Sequence, residues 1–152
     1  MNDGAASIAD AEVFERLPAA RIDRDNIAFF RGLLSRRLLL NRCADCGNWS
    51  NPPWPNCPRC WSDDVRPTEV AGDGTIHSFA LRHAGPPREG VDYLRGYPVA
   101  VVELVEQAGL RVTARVVGCA PEEIENDLPV RLRWIERDGE PVPAFAPRAA
   151  AG

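Results

Sequence analysis

At 152 residues and 45% hydrophobic, the chain has room for one ordinary domain or for two very small modules that need each other or a metal. A net charge of −4 and a pI near 5.2 speak against a nucleic-acid binder, because neutralising phosphates demands a surplus of basic residues. No run approaches the roughly 18 to 20 apolar residues of a membrane span, and the opening Met1-Asn2-Asp3-Gly4 lacks the basic and apolar stretches of a secretory leader, so a cytoplasmic protein without a membrane partner is expected.

Residues 1–22 are Ala-rich and mixed in charge with no sustained periodicity, and they read as a tail, mobile or ordered by a partner. Over 25–35 the pattern turns helical. Ile27, Phe29, Phe30, Leu33 and Leu34 share one side of the wheel, Ala28, Arg31, Gly32 and Ser35 the other, and Asp23 or Asp25 is placed to cap the start. A helix this short is marginal alone, and two adjacent phenylalanines oblige it to pack. Two readings stand: it covers the chain's own core, or its five apolar residues dock another subunit.

The extended run Leu38-Leu39-Leu40 leads to Cys43-Ala44-Asp45-Cys46-Gly47, then ten residues, then Cys57-Pro58-Arg59-Cys60-Trp61. Each CxxC turn lets two thiolates converge on one ion, and two such turns complete a tetrahedral four-sulfur shell. Gly47 suits the left-handed backbone of such a turn, and Pro52, Pro53, Pro55 and Pro58 stiffen the connection between the pairs. The expected ion is zinc in a structural role, because four thiolates leave no position for an activated water. An iron centre has the same spacing, whereas a redox dithiol lacks its thioredoxin-like context.

Past a polar connector, 62–68, come strand-like segments at 75–83, 97–106 and 110–117. In the third, Leu110, Val112, Ala114 and Val116 alternate with Arg111, Thr113, Arg115 and Val117. Pro121-Glu122-Glu123-Ile124 suits a short helix. A fourth strand then turns Val130, Leu132 and Trp134 inward with Arg131 and Arg133 outward, and a fifth, 141–146, follows the hairpin dipeptide Asp138-Gly139. Three strands, a short helix and two strands is the order of the OB-fold, a five-stranded Greek-key barrel. The expected class is mainly β: an N-terminal helix, a zinc ribbon and an OB barrel. The division follows as tail and helix 1–36, ribbon 37–68, barrel 69–147 and tail 148–152.

Phe29-Phe30-Arg31-Gly32, the stretch from Leu38 through Gly47, Pro52-Pro53 and the second cysteine pair, with Gly74-Thr75-Ile76, the segment from Pro98 to Leu104 and Pro129-Val130, together resemble the domain-of-unknown-function thirty-five family over roughly residues 25–147. There a helix and a rubredoxin-like zinc ribbon precede an OB-fold; here Trp61 stands where a small residue is frequent. The resemblance implies a non-catalytic accessory subunit of an acyl-CoA-processing complex in lipid or steroid degradation. It would form a hetero-oligomer that completes a thiolase-like partner, a thiolase or a steroid side-chain aldolase, and help hold the CoA ester. Partnership with a hot-dog-fold enoyl-CoA hydratase is the alternative within that class. A single-stranded nucleic-acid module is the alternative outside it, disfavoured by the acidity and by the lack of an aromatic stacking ladder.

Chemistry of the chain's own is not indicated. His77 and His83 share one parity of the first strand with Phe79 and Leu81, as barrel-lining or rim residues do; Cys119 reads as a packed thiol, and Glu122, Glu123, Glu125 and Asp127 as a solvated helix start. The loop 84–96 is long for a connection between adjacent strands. Its Arg88, Tyr93 and Arg95 are the candidate contacts to a CoA ester, against the reading that the loop is a solvated excursion. Outward arginines 111, 115, 131 and 133 either meet phosphates or acidic partner groups, or form a solvated sheet face.

Overall fold

The computed structural model describes residues 8–148, which divide into two compact units: 8–71 with 134–142, and 72–133 with 143–148. Among them no helix is long and apolar enough to cross a membrane.

In the first unit, helices α1 (Asp10–Arg16) and α2 (Ile27–Leu34) precede a three-stranded antiparallel sheet of β1 (Leu39–Cys43), β2 (Trp49–Ser50) and β3 (Val65–Glu69), in the order β2-β1-β3. Helix α1 lies within the stretch expected to be a tail. It is held by one wholly buried side chain, Val13, and by ion pairs: Asp10 with Arg31, and Arg16 with Glu140 at 2.6 Å. The Arg16 guanidinium, donating to Glu140, holds that carboxyl below its usual range. A single apolar anchor leaves no periodicity for sequence reading to detect.

The entry to α2 is shaped by Asp23, whose Oδ1 accepts the backbone N–H groups of Asp25 at 2.8 Å and Asn26 at 3.0 Å. Leu34 is buried, and Ile27, Phe29, Phe30 and Leu33 are half-buried, the two phenylalanine rings meeting edge-on at 5.3 Å. Strand β3 occupies much of the expected connector. It pairs with β1 from Leu39↔Glu69 to Cys43↔Val65. Its sequence, Val-Arg-Pro-Thr-Glu, carries a proline and two charges, which only an edge strand tolerates, and β3 is an edge.

The second unit contains most of the barrel, whose residues 134–142 belong to the first. Strands β4 (Asp73–Arg82), β5 (Tyr97–Leu104), β6 (Arg111–Val116), β7 (Pro129–Arg137) and β8 (Glu140–Pro147) close in the order β4-β5-β6-β8-β7, with β6 and β8 parallel. A 3-10 turn, Pro121–Glu123, stands where the short helix is expected, its Glu123 carboxylate accepting the Ala120 N–H at 2.8 Å. This is the OB order read from the sequence. The inward set follows the period of two through Ala100 and Val102 in β5, with Ile76 and Val130 at 0% exposure beside them, whereas in β8 the consecutive Ala144 and Phe145 are both at 0%. Closure brings backbones close at Gly74, where a Cβ would lie 2.4 Å from the Glu103 carbonyl oxygen.

The alternation breaks in β4. Pairing passes from Ile76↔Val102 to Ser78↔Val101, leaving His77 as the extra residue of a bulge. His77, Phe79 and His83 are exposed and Leu81 is half-buried, although the register beyond the bulge sets Phe79 opposite the buried Ala100 and Leu81 opposite the buried Pro98. At the β7–β8 hairpin, Asp138 and Gly139 have φ of 53° and 80°, the left-handed pair of a type I′ turn that this dipeptide favours.

Candidate metal centre and a hollow on the barrel

The end of β1 and two loops bring Cys43, Cys46, Cys57 and Cys60 together. Their sulfurs all lie within 4.8 Å of one another, with Cys43–Cys60 and Cys46–Cys57 each at 3.6 Å. A tetrahedron with Zn–S bonds of about 2.3 Å has edges of about 3.8 Å, so the cradle fits zinc.

The two cysteine turns are built alike. In one, the Gly47 N–H donates to the Cys43 carbonyl at 2.9 Å and the Cys43 N–H to Asn48 at 2.8 Å; in the other, the Trp61 N–H donates to the Cys57 carbonyl at 2.9 Å and the Cys57 N–H to Ser62 at 2.8 Å. Backbone N–H groups also point at sulfur, from Cys46 to Cys43 at 3.5 Å and from Arg59 to Cys57 at 3.4 Å, as thiolates require. Ser62 donates to Asp45 and accepts the Asp64 N–H at 3.1 Å, which ties the second turn to the first.

Proton affinity is divided unequally among the sulfurs. Burial pushes the Cys57 thiol up, but the backbone N–H groups of Cys60 and Arg59 and hydrogen bonds from Cys46 and Cys60 outweigh it and bring it down to about 6. The Cys46 backbone N–H likewise lowers Cys43. At Cys60 the Ser62 backbone pulls downward, yet burial and the bonds to Cys43, Cys46 and Cys57 push it up to about 12. Without a cation Cys60 therefore keeps its proton at neutral pH, and zinc must displace it. The metal-free chain binds more protons than the loaded one, so affinity falls as pH falls. As pH falls from 8 to 6 the apparent Kd for zinc is expected to rise at least about tenfold per unit, the slope set by displacing the Cys60 proton alone, and more steeply below about 6, where Cys57 also holds a proton. Competition with a chromophoric chelator measures this, and a flat profile would contradict it.

Trp61 has φ of 65°, the left-handed slot that Gly47, at 76°, fills in the other turn. Its side chain is 79% exposed, so packing does not compensate for the backbone. Trp61→Gly is therefore expected to be more stable to denaturant than Trp61→Ala by about 1 kcal/mol, the reverse of the usual order for these two residues. Equal midpoints in the zinc-loaded variants would show that the slot is unstrained.

On the barrel, the loop after β4, the start of β5 and the end of β6 enclose a hollow of about 210 Å³. Asp92, Arg95, Tyr97, Arg115 and Cys119 are among its walls. Of the three loop residues singled out from sequence, only Arg95 lines it. Tyr93 instead braces the loop, its hydroxyl donating to the Pro86 carbonyl at 3.1 Å, and Arg88 is exposed. Arg115 lies over the Tyr97 ring, 4.8 Å from its centroid, and donates to the Gly90 carbonyl at 3.4 Å. Burial, and after it the Glu123 charge, raise the Cys119 thiol, which stays neutral. Sequence reasoning named Arg115 only as an outward arginine and missed Tyr97, because the hollow depends on how the loop folds back.

A two-knuckle zinc ribbon and a five-stranded OB barrel define the class: a zinc-ribbon OB-fold protein. The family model for the rubredoxin-like zinc ribbon domain of ChsH2 matches residues 30–66, and that for the C-terminal OB-fold domain of ChsH2 matches 67–134. A solved Ltp2-ChsH2(DUF35) aldolase superposes with a TM-score of 0.73 at 40% identity, covering 84% of this chain and 98% of that one. A DUF35 domain-containing scaffold protein of Methanothermobacter thermautotrophicus is 32% identical over 103 residues, 66% of this chain and 74% of the relative. A probable enoyl-CoA hydratase alpha subunit of Thermomonospora curvata is 41% identical over 131 residues, 86% of this chain. The chain spans only 40% of that relative's length. The chain belongs to the DUF35 family, with the zinc ribbon and OB-fold of the ChsH2 type.

Proposed function

We propose that the chain is a zinc-dependent, non-catalytic subunit of an acyl-CoA-processing complex, completing a thiolase-like partner such as a thiolase or a side-chain aldolase. The observation that carries this is the likeness, at 40% identity over nearly the whole matched chain, to the ChsH2-type component of the Ltp2-ChsH2(DUF35) aldolase. The chain's own chemistry agrees. The four thiolates fill the metal's shell, and His77, His83 and Cys119 are not brought together with an orienting base or acid in any hydrogen bond among the described residues. The half-exposed faces of Ile27, Phe29, Phe30 and Leu33 on α2 are the proposed docking surface, with Leu34 anchoring the helix to its own unit.

The hydratase relative favours a second reading, in which the partner is a hot-dog-fold hydratase. Co-expression with a thiolase-like candidate and, separately, with a hydratase candidate distinguishes them. The expected result is co-purification with the thiolase-like protein and a gain in its CoA-ester turnover; turnover by the chain alone, or inert mixtures with both, would overturn the proposal.

A further inference from the structure

Packing and ion pairing leave one group in the barrel hollow unexplained. Arg115 Nε is enclosed and meets no acceptor, whereas nearly all buried polar groups in folded proteins have one. The rest of the guanidinium is held in place by the Tyr97 ring and the Gly90 carbonyl. A planar fork fixed in this way is suited to the paired oxygens of a phosphate or carboxylate. Arg95 lines the same hollow from the loop. Its partner there is Glu122 at 3.3 Å, and with the two side chains 58% and 68% exposed this pairing is worth little in water and is readily exchanged.

The remaining walls do not oppose an anion. Asp92 is the acid among them, and its Oδ1 is engaged by the backbone N–H groups of Leu94 at 3.0 Å and Arg95 at 3.2 Å. Cys119 contributes a neutral thiol. At about 210 Å³ the hollow exceeds the roughly 30 Å³ share of one water several-fold. It also lies beside the second and third barrel strands and the loop joining the first two, the region where OB-folds take their ligands.

We infer that this hollow is a phosphate site, in which Arg115 and Arg95 together grip the phosphoryl oxygens of a phosphate ester, the diphosphate of a CoA ester. The site rests on the barrel geometry; only the source of the phosphate rests on the proposed function. It moves the ester contact from Arg88 and Tyr93 to Arg115 and Tyr97, keeping Arg95.

The test is a titration of the full, zinc-loaded, nitrogen-15-labelled chain with CoA and, in parallel, with inorganic pyrophosphate, following the Arg115 Nε–H resonance, which Arg115→Lys assigns by removing it. Both probes are expected to move that resonance saturably, with pyrophosphate competing against CoA. Arg115→Gln weakens CoA binding about tenfold, the loss of one charged hydrogen-bonding fork. Glu122→Gln tightens it about twofold or more by freeing Arg95 and removing a like charge, while Arg133→Gln, outside the hollow, leaves it unchanged. An unmoved resonance, or a shift with pyrophosphate and none with CoA, overturns the proposal. Should Arg115→Gln fail to fold, the exposed Glu122→Gln decides, since unchanged or weaker binding there sinks it. No partner is present in this experiment, so its failure is separable from failure to activate one.

Discussion

Cys57→Ser is expected to lose both the metal and the folded ribbon. Structural zinc contributes an apparent 10 to 16 kcal/mol in small finger modules, more than most domains possess in total stability. The two cysteine turns have little else to hold them, since the ribbon's buried apolar side chains, Leu40 and Trp49, lie in its strands. Strand β2 is two residues long, and of the tryptophans between and beside the cysteine pairs only Trp49 in β2 is buried, Trp54 at 56% and Trp61 at 79% exposure facing outward. What is buried in the two turns is the pair Cys43 and Cys57, at 2% and 1% exposure, so the sulfurs and their ion take the place of an apolar core. Serine at 57 keeps the size and removes the thiolate. Amide exchange in β1, β2 and both turns is expected to lose its protection, and elemental analysis to find less than one zinc per chain. Chelation of the unmodified protein should reproduce the exchange pattern. Cys119→Ser is the control and keeps its zinc, because that thiol lies in the barrel hollow. Full zinc content and unchanged protection in Cys57→Ser would mean that the ribbon does not depend on its metal.

The parts of this architecture that were legible in the sequence are those fixed by local chemistry. Two CxxC turns impose their own geometry, and the strict alternation through Leu110, Val112 and Val116 marks a half-buried strand without reference to the rest of the chain. Asp138-Gly139 names its turn because few other residues accept two successive left-handed conformations. What escaped reading depends on distant partners. Helix α1 exists because Arg31 and Glu140, far along the chain, meet Asp10 and Arg16. Strand β3 is a strand because β1 lies beside it, against the preference of Pro67. The hollow at Arg115 is of the same kind: its walls come from a loop whose course is set by bonds such as Tyr93 to Pro86, and no spacing of residue types announces it. The bulge at His77 belongs here too, since one inserted residue undoes a parity that the sequence displays without interruption.

Phe145→Ala is expected to be the costliest single truncation in the barrel, at about 3 to 5 kcal/mol. The ring is wholly buried, and its flanking residues, Ala144 and Ala146, are too small to move into the space it would leave. Its backbone is fixed as well: Phe145 is the register partner of Val116 in the parallel β6–β8 pair, and its carbonyl accepts the Val117 N–H at 2.8 Å. A clamped strand cannot collapse onto the cavity, which places the cost toward the upper part of the usual range for such truncations. Phe145→Leu restores most of the volume and should cost less than about 1.5 kcal/mol. Phe79→Ala, at a ring 38% exposed beyond the β4 bulge, should lose much less than Phe145→Ala, because much of that side chain already meets water. Denaturant midpoints at constant slope measure all three. Their order separates a barrel held by one central ring from one whose stability is spread evenly over its strands. In the second case Phe145→Ala and Phe79→Ala would unfold at the same denaturant concentration, and the packing account of β8 would be wrong.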